Sequence, residues 1–387
     1  MKKVIFFSLF LIVGLVLSQI LPNLLSDVYP QIRIGVTYLL SISLAFIMIN
    51  VGREFELNKK EWKSYSADYF IAMGTAALPW LLVCIYFMFL VPWEYFNNWE
   101  VWKENLLLSR FAAPTSAGIL FSMLAAVGLK SSWVYKKIQT LAIFDDLDTI
   151  LLMIPLQIMM IGLHWELHIV LVIVALLLVI GWKYLNHFRV SSKWTWMLLA
   201  SVVVVGVSEF VYRTSLFISD KGVHIEVLLP AFIFGMILKN EHNERPVDHK
   251  AASIISYIFM LLVGLSMPLL FSQSLASEPN SSLMPDMSWP TIIFHVVAIS
   301  ILSNIGKMVP VFFYRDRKFS ERLALSIGMF TRGEVGAGII VIAIGYGIQG
   351  PLLTISILTI VLNLILTGFF IIWVKKLALK SVSAQKI

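Results

Sequence analysis

The chain has 387 residues, 59% of them hydrophobic and only 14% charged, with a mean hydropathy of +0.85, whereas a water-soluble domain carries about 25% charged residues. This composition excludes a soluble globular protein and leaves room for about a dozen membrane crossings of roughly 20 residues each. The net charge of +7 does not indicate a nucleic-acid partner, because the Lys and Arg residues fall mainly in short polar breaks between apolar runs, where they report membrane topology.

Taken in chain order, the uninterrupted apolar runs predict twelve membrane helices. They cover residues 4–21, 32–51, 67–91, 105–127, 134–162, 167–186, 194–212, 223–238, 252–272, 290–314, 321–347 and 350–373. Met1-Lys2-Lys3 ahead of Val4 to Ile20 has the outline of a signal peptide. A retained first helix is expected instead, because no small-x-small cleavage site precedes Pro22 and the run is long enough to span. The single cysteine, Cys84, lies within the third run, so neither a disulfide framework nor a cysteine metal motif is expected, and no cofactor is implied.

Charges test the helix count independently. Lys2 and Lys3, the Arg53–Lys63, Lys130–Lys137, Lys183–Lys193, Lys239–Lys250 and Arg315–Arg322 loops, and the tail from Lys375 are alternate breaks and hold most of the 30 basic residues. The other breaks hold only Arg33, Lys103, Arg213 and Lys221. An excess of Lys and Arg marks the cytoplasmic side, so both termini are expected there.

Arg110, Lys307 and Arg332 remain within spans, together with Asp145, Asp146, Asp148 and Glu334. An ionisable group at membrane depth costs several kcal/mol unless paired or hydrated, so these residues are the functional candidates. In Phe144-Asp145-Asp146-Leu147-Asp148, adjacent side chains on a helix point about 100° apart, while Asp145 and Asp148 share a face. Three carboxylates in four residues cannot all stay charged in a dry environment, so protonation, a paired cation or water is required. Lys307 needs a counter-charge or must snorkel to the cytoplasmic surface.

The fourth run carries Arg110-Phe-Ala-Ala-Pro114-Thr115-Ser116. Proline removes a helical hydrogen bond and frees carbonyls that, with the hydroxyls of Thr115 and Ser116, suit a hard cation; a simple kink is the alternative. In the eleventh run, Thr331-Arg332-Gly333-Glu334-Val335-Gly336 combines glycines with opposite charges, which reads as an unwound crossing or as close glycine packing.

These residues resemble bacterial monovalent cation/proton antiporters of the sodium/hydrogen exchanger superfamily, in the paired-aspartate branch that also holds potassium efflux antiporters. The resemblance is carried by Phe46-Ile-Met-Ile-Asn-Val-Gly52-Arg-Glu-Phe-Glu56-Leu, Pro114-Thr-Ser116-Ala-Gly118, Ile143-Phe-Asp145-Asp146, Leu229-Pro-Ala-Phe-Ile-Phe-Gly235, Ile305-Gly-Lys307 and Thr331-Arg-Gly-Glu334-Val, in that order along most of the chain. It implies an all-α polytopic, inverted-repeat antiporter fold over 1–373 with two discontinuous helices crossing at spans 4 and 11. Spans 3–5 and 10–12 would form the core and the other spans a dimerisation scaffold, with a short basic cytoplasmic tail over 374–387. By position, Asp146 would carry the cation (Na+, or Li+ or K+) and the proton, Asp145 would pair with Lys307, Thr115 and Ser116 would line the site, and Arg332 and Glu334 would stabilise the crossing. Asp148 and Arg110 fall outside the family pattern and are candidate modulators.

The activity that the resemblance implies is electrogenic cation/proton exchange by alternating access, carried out by a homodimer in the lipid bilayer of a bacterial inner membrane. A potassium efflux antiporter or a sodium-coupled solute symporter of related fold is the alternative. An intramembrane enzyme using the aspartates, or one of the histidines His164, His168, His187, His224, His242, His249 and His295, is more remote, because a carboxylate dyad needs two facing groups sharing a proton at about 3 Å.

Overall fold

Backbone polar groups in hydrocarbon have no water to bond, so long apolar runs close their hydrogen bonds internally as helices. The computed structural model describes residues 2–54, 62–161, 165–185, 187–188, 193–218, 227–239, 246–267, 287–346, 348 and 350–383. In chain order the helices are α1 (Lys2–Leu24), α2 (Tyr29–Glu54), α3 (Trp62–Leu90), α4 (Trp99–Ser109), α5 (Ala117–Ala126), α6 (Trp133–Ile161), α7 (Trp165–Lys183) and α8 (Trp194–Ile218). They continue as α9 (Leu228–Ile237), α10 (Pro246–Leu265), α11 (Trp289–Gly306), α12 (Val309–Phe312), α13 (Phe319–Gly328), α14 (Glu334–Gly345) and α15 (Pro351–Ser383). Among the described residues the only β pairing is an isolated bridge between Phe188 and Leu238, and eight helical segments are long and apolar enough to cross a membrane.

The runs over 105–127 and 321–347, expected to be discontinuous, are divided into α4 and α5 and into α13 and α14, and the run over 290–314, expected to be a single helix, is divided into α11 and α12. Hydropathy is blind to the cause. Pro114 and Pro310 each lack the N–H that a continuous helix would need, and Gly333 begins a new helix at Glu334. The last helix runs past the expected 373 to Ser383, because Lys, Ala and Leu are good helix formers that need no bilayer. The expected ends at 223 and 272 lie outside the described residues.

The chain forms two compact units. The first comprises Met1–Leu24, Glu61–Met160 and Val263–Ile387, and thus holds α1, α3 to α6 and α11 to α15. Within it α3 packs on α4 and α11, while α15 packs on α11 and α13. The second comprises Leu25–Lys60 and Ile161–Leu262, with α2 lying along α8 and α9. The α2 and α9 backbones meet at two of the motif glycines: a Cβ at Gly235 would overlap the Ile49 carbonyl, and one at Gly52 the Phe232 carbonyl. Small residues let membrane helices approach this closely.

Candidate functional site

The site is built in the first unit where two interrupted helices meet. After α4, a 3-10 turn over Arg110–Ala112 leads into Ala113–Ser116, and α5 begins at Ala117. After α13 the chain is non-helical until α14 begins at Glu334. Each interruption supplies what the other lacks. The Ser116 N–H donates to the Thr331 carbonyl at 3.0 Å, and the Thr115 hydroxyl donates to the Met329 carbonyl at 3.2 Å. The Arg332 guanidinium donates to the Met329 and Phe330 carbonyls at 3.3 and 3.5 Å, placing a cation on the freed C-terminal carbonyls of α13, where the helix dipole favours positive charge. The crossing is therefore held by main-chain groups that a helix interior would have consumed.

Helix α6 passes this crossing unbroken and presents Asp145 to it. The Asp145 carboxylate accepts the Thr115 N–H at 2.8 Å and the Lys307 ammonium at 2.9 and 3.1 Å. Lys307 also donates to the Thr115 hydroxyl at 3.0 Å. Both charged side chains are 0% exposed, so Lys307 does not snorkel to a surface. Its location follows from the local sequence. Lys307 caps α11, because the Pro310 nitrogen cannot bond the Gly306 carbonyl and the helix has to restart as α12.

Asp146 is buried beside the pair, and its charge acts on the Lys307 ammonium. Asp148 shares the Asp145 face of α6 but faces a different set of groups. The Tyr69 hydroxyl reaches its carboxylate. Arg110, also buried, donates to the Asp148 main-chain carbonyl at 3.1 Å and lies over the Trp80 ring at 4.8 Å, a cation–π contact that offsets part of the cost of burial. Arg110 thus braces the α4 interruption against α3 and α6 rather than pairing with a carboxylate. Ser116 is buried at the start of α5. The Glu334 side chain lies outside the described residues.

Thus Asp145, Lys307 and Thr115 touch directly, Ser116 and Arg332 hold the crossing around them, and Asp146 lies next to them. Tyr69, Trp80, Met329 and Thr331 were not expected at the site. The first two are aromatic residues in an apolar run, and the last two act through main-chain carbonyls, which no side-chain pattern encodes. Of the histidines, His295 bonds the Tyr86 hydroxyl at 2.8 Å, while His164, His224 and His242 lie outside the described residues.

The family model for the transmembrane sodium/hydrogen exchanger matches residues 4–377. The chain belongs to the sodium/hydrogen exchanger family. No curated protein matches it. The solved structure of the sodium proton antiporter MjNhaP1 from Methanocaldococcus jannaschii superposes at a TM-score of 0.56, with 16% identity, over 97% of this chain and 92% of that one. At that identity the likeness speaks to the fold, which is the antiporter fold expected from the motifs. Family membership makes the chain a multi-pass membrane transporter of the cation/proton exchange class, rather than an enzyme.

Proposed function

We propose that the chain exchanges a monovalent cation, Na+ with Li+ or K+ as further candidates, for protons by alternating access, with Asp146 as the shared carrier. The observation that carries this reading is the Lys307–Asp145 pair, 0% exposed, at a crossing whose main chain is already unwound. A cation arriving among these carboxylates, the Thr115 and Ser116 hydroxyls and the opened carbonyls meets hard oxygen ligands and has to compete with the ammonium and with protons for the same negative charge. One site that holds either load but not both gives exchange without a separate coupling device. The Asp–Lys pairing favours the electrogenic type, in which more protons than cations move. It also favours the paired-aspartate branch of the family.

In this reading Arg332 and Glu334 stabilise the crossing, and Asp148 and Arg110 modulate the charge around it. The protein works as a homodimer through the spans outside 3–5 and 10–12, in a bacterial inner membrane with both termini cytoplasmic. The test is Asp146→Asn in everted vesicles with a pH-sensitive dye. The variant is expected to show no cation-driven proton movement with Na+, Li+ or K+, and exchange at the wild-type rate would overturn the assignment. Wild-type protein in liposomes, with membrane potential recorded alongside internal pH, separates electrogenic from neutral exchange. A solute-dependent sodium uptake without a pH gradient would instead show a symporter.

A further inference from the structure

A polar seam between α11 and α15 ends at the residue that carries the site's ammonium. Asn363 of α15 is 1% exposed, and its amide makes three hydrogen bonds. Its oxygen accepts from the Asn304 amide at 3.0 Å. Its nitrogen donates to the Ser300 hydroxyl at 3.2 Å and to the Thr359 carbonyl of its own helix at 2.9 Å. Ser300 and Asn304 are one turn apart on α11, and Lys307 follows on the next turn as its cap. An amide bonded through both its donor hydrogens and its oxygen deep in an apolar helix bundle fixes the rotation and register of the partner that it grips, because any slip leaves polar groups unpaired in a medium where that costs several kcal/mol.

The end of α11 needs such a grip. Beyond Lys307 the helix is interrupted before α12, so no continuous helix anchors the lysine from its far side. On the other face Gly306 sits directly on α3: a Cβ there would stand 2.6 Å from the Pro79 backbone. Pro79 supplies contact but no directional bond to this turn, whereas Asn363 bonds two residues in the turns that lead to Lys307. We propose that Asn363 is a positioning residue for Lys307, acting through Ser300 and Asn304 to aim the ammonium at Asp145 and Thr115. This rests on the proposed role of Lys307 as the counter-charge in exchange.

The test is a double-mutant cycle in proteoliposomes that joins Asn363→Leu, which keeps the branched shape and removes the bonds, with Lys307→Gln. The pH profile of exchange and its dependence on membrane potential are read with Na+ and Li+. Asn363→Leu alone is expected to move both in the direction that Lys307→Gln moves them, and to change the cation KM by at least about threefold. In the Lys307→Gln background it should change neither. A residue that merely glues two helices would lower stability and expression equally in both backgrounds and leave the pH profile in place. Should Asn363→Leu fail to insert, Asn304→Leu removes one of the same bonds from the less buried side and is read in the same way. An unmoved profile, or effects that multiply across the two backgrounds, overturns the inference while the exchange mechanism stands. If Lys307→Gln itself shifts neither pH nor voltage dependence, the exchange reading of Lys307 falls, and this inference with it.

Discussion

Two lysine–aspartate pairs lie in the same structural unit, Lys307–Asp145 at 2.9 Å and Lys137–Asp68 at 2.8 Å. By distance they are equivalent. By surroundings they are not. Asp68 also accepts the Tyr314 hydroxyl at 2.6 Å, and the Lys137 ammonium sits 5.2 Å from the Tyr314 ring. That ring meets Trp133 edge-on, and Arg317 lies over the Trp133 ring at 4.9 Å. Lys137 keeps 17% of its side chain exposed. The pair fastens the starts of α3 and α6 to the loop between α12 and α13, and it has other donors and water to fall back on. The crossing pair has no exposed edge, and its neighbours are main-chain groups of two interrupted helices. A pair with spare partners serves as a fastener, whereas a sealed pair beside a second carboxylate is one that an incoming cation can compete with.

The sharpest way to separate the two pairs is to remove one lysine at a time. Lys307→Gln strips Asp145 of its counter-charge, and breaking a buried pair from one side costs about 3–5 kcal/mol. The thermal midpoint of the purified protein should fall accordingly. A buried carboxylate without a counter-charge keeps its proton to higher pH, so the pH optimum of exchange is expected to rise and its sensitivity to membrane potential to fall. An unshifted profile with unchanged voltage dependence would make Lys307 a structural residue and erase the contrast.

At the other pair, Asp68→Asn removes the charge that both Tyr314 and Lys137 address. A loss of about 2–3 kcal/mol of stability is expected, from hydrogen bonds to a charged group, with the voltage dependence of exchange unmoved. Tyr314→Phe removes one of those bonds, for about 1.5 kcal/mol. Burial first, and then the neighbouring Asp68 charge, hold the Tyr314 hydroxyl well above the usual tyrosine range. A group raised in this way contributes stability that is fully present below its unfolded value of about 10 and is progressively lost as pH rises from there through the higher folded value. The stability difference between wild type and Tyr314→Phe should therefore stay flat from about pH 7 to 10 and decline above about pH 10; a difference that stays flat above about pH 10 as well would show that the hydroxyl ionises normally. Lys137→Gln should have the smallest effect, about 1 kcal/mol or less and weakened by salt, as for a partly exposed pair.

What the sequence makes legible follows from the same contrast. Charged residues at membrane depth stand out against an apolar run, and Pro114 and Gly333 announce interruptions because one lacks a donor and the other weakens a helix. Lys307, Asp145, Thr115 and Arg332 could therefore be named before any coordinates. Pro310 carries the same signal as Pro114, yet the tenth run reads as one helix because its hydropathy never falls. Asp68 lies near the expected start of its run, where a carboxylate reads as solvated; its burial comes from α6 and the α12–α13 loop, which are distant in sequence. Asn363 is uncharged within an apolar helix, and its partner Asn304 is far away along the chain, so only the packing of α11 on α15 reveals it. Arg110 was conspicuous, but what it serves is a tryptophan ring and a main-chain carbonyl, neither of which leaves a trace in charge patterning.

The central claim is that cation and proton occupy the same carboxylates at the crossing. Its most direct measurement is proton release on cation binding by purified protein in weakly buffered detergent solution, with NaCl or LiCl added and choline chloride as the ionic-strength control. Wild-type protein should release protons on addition of the transported cation, and Asp146→Asn should release none. Cation binding by the wild type without proton release would contradict the account.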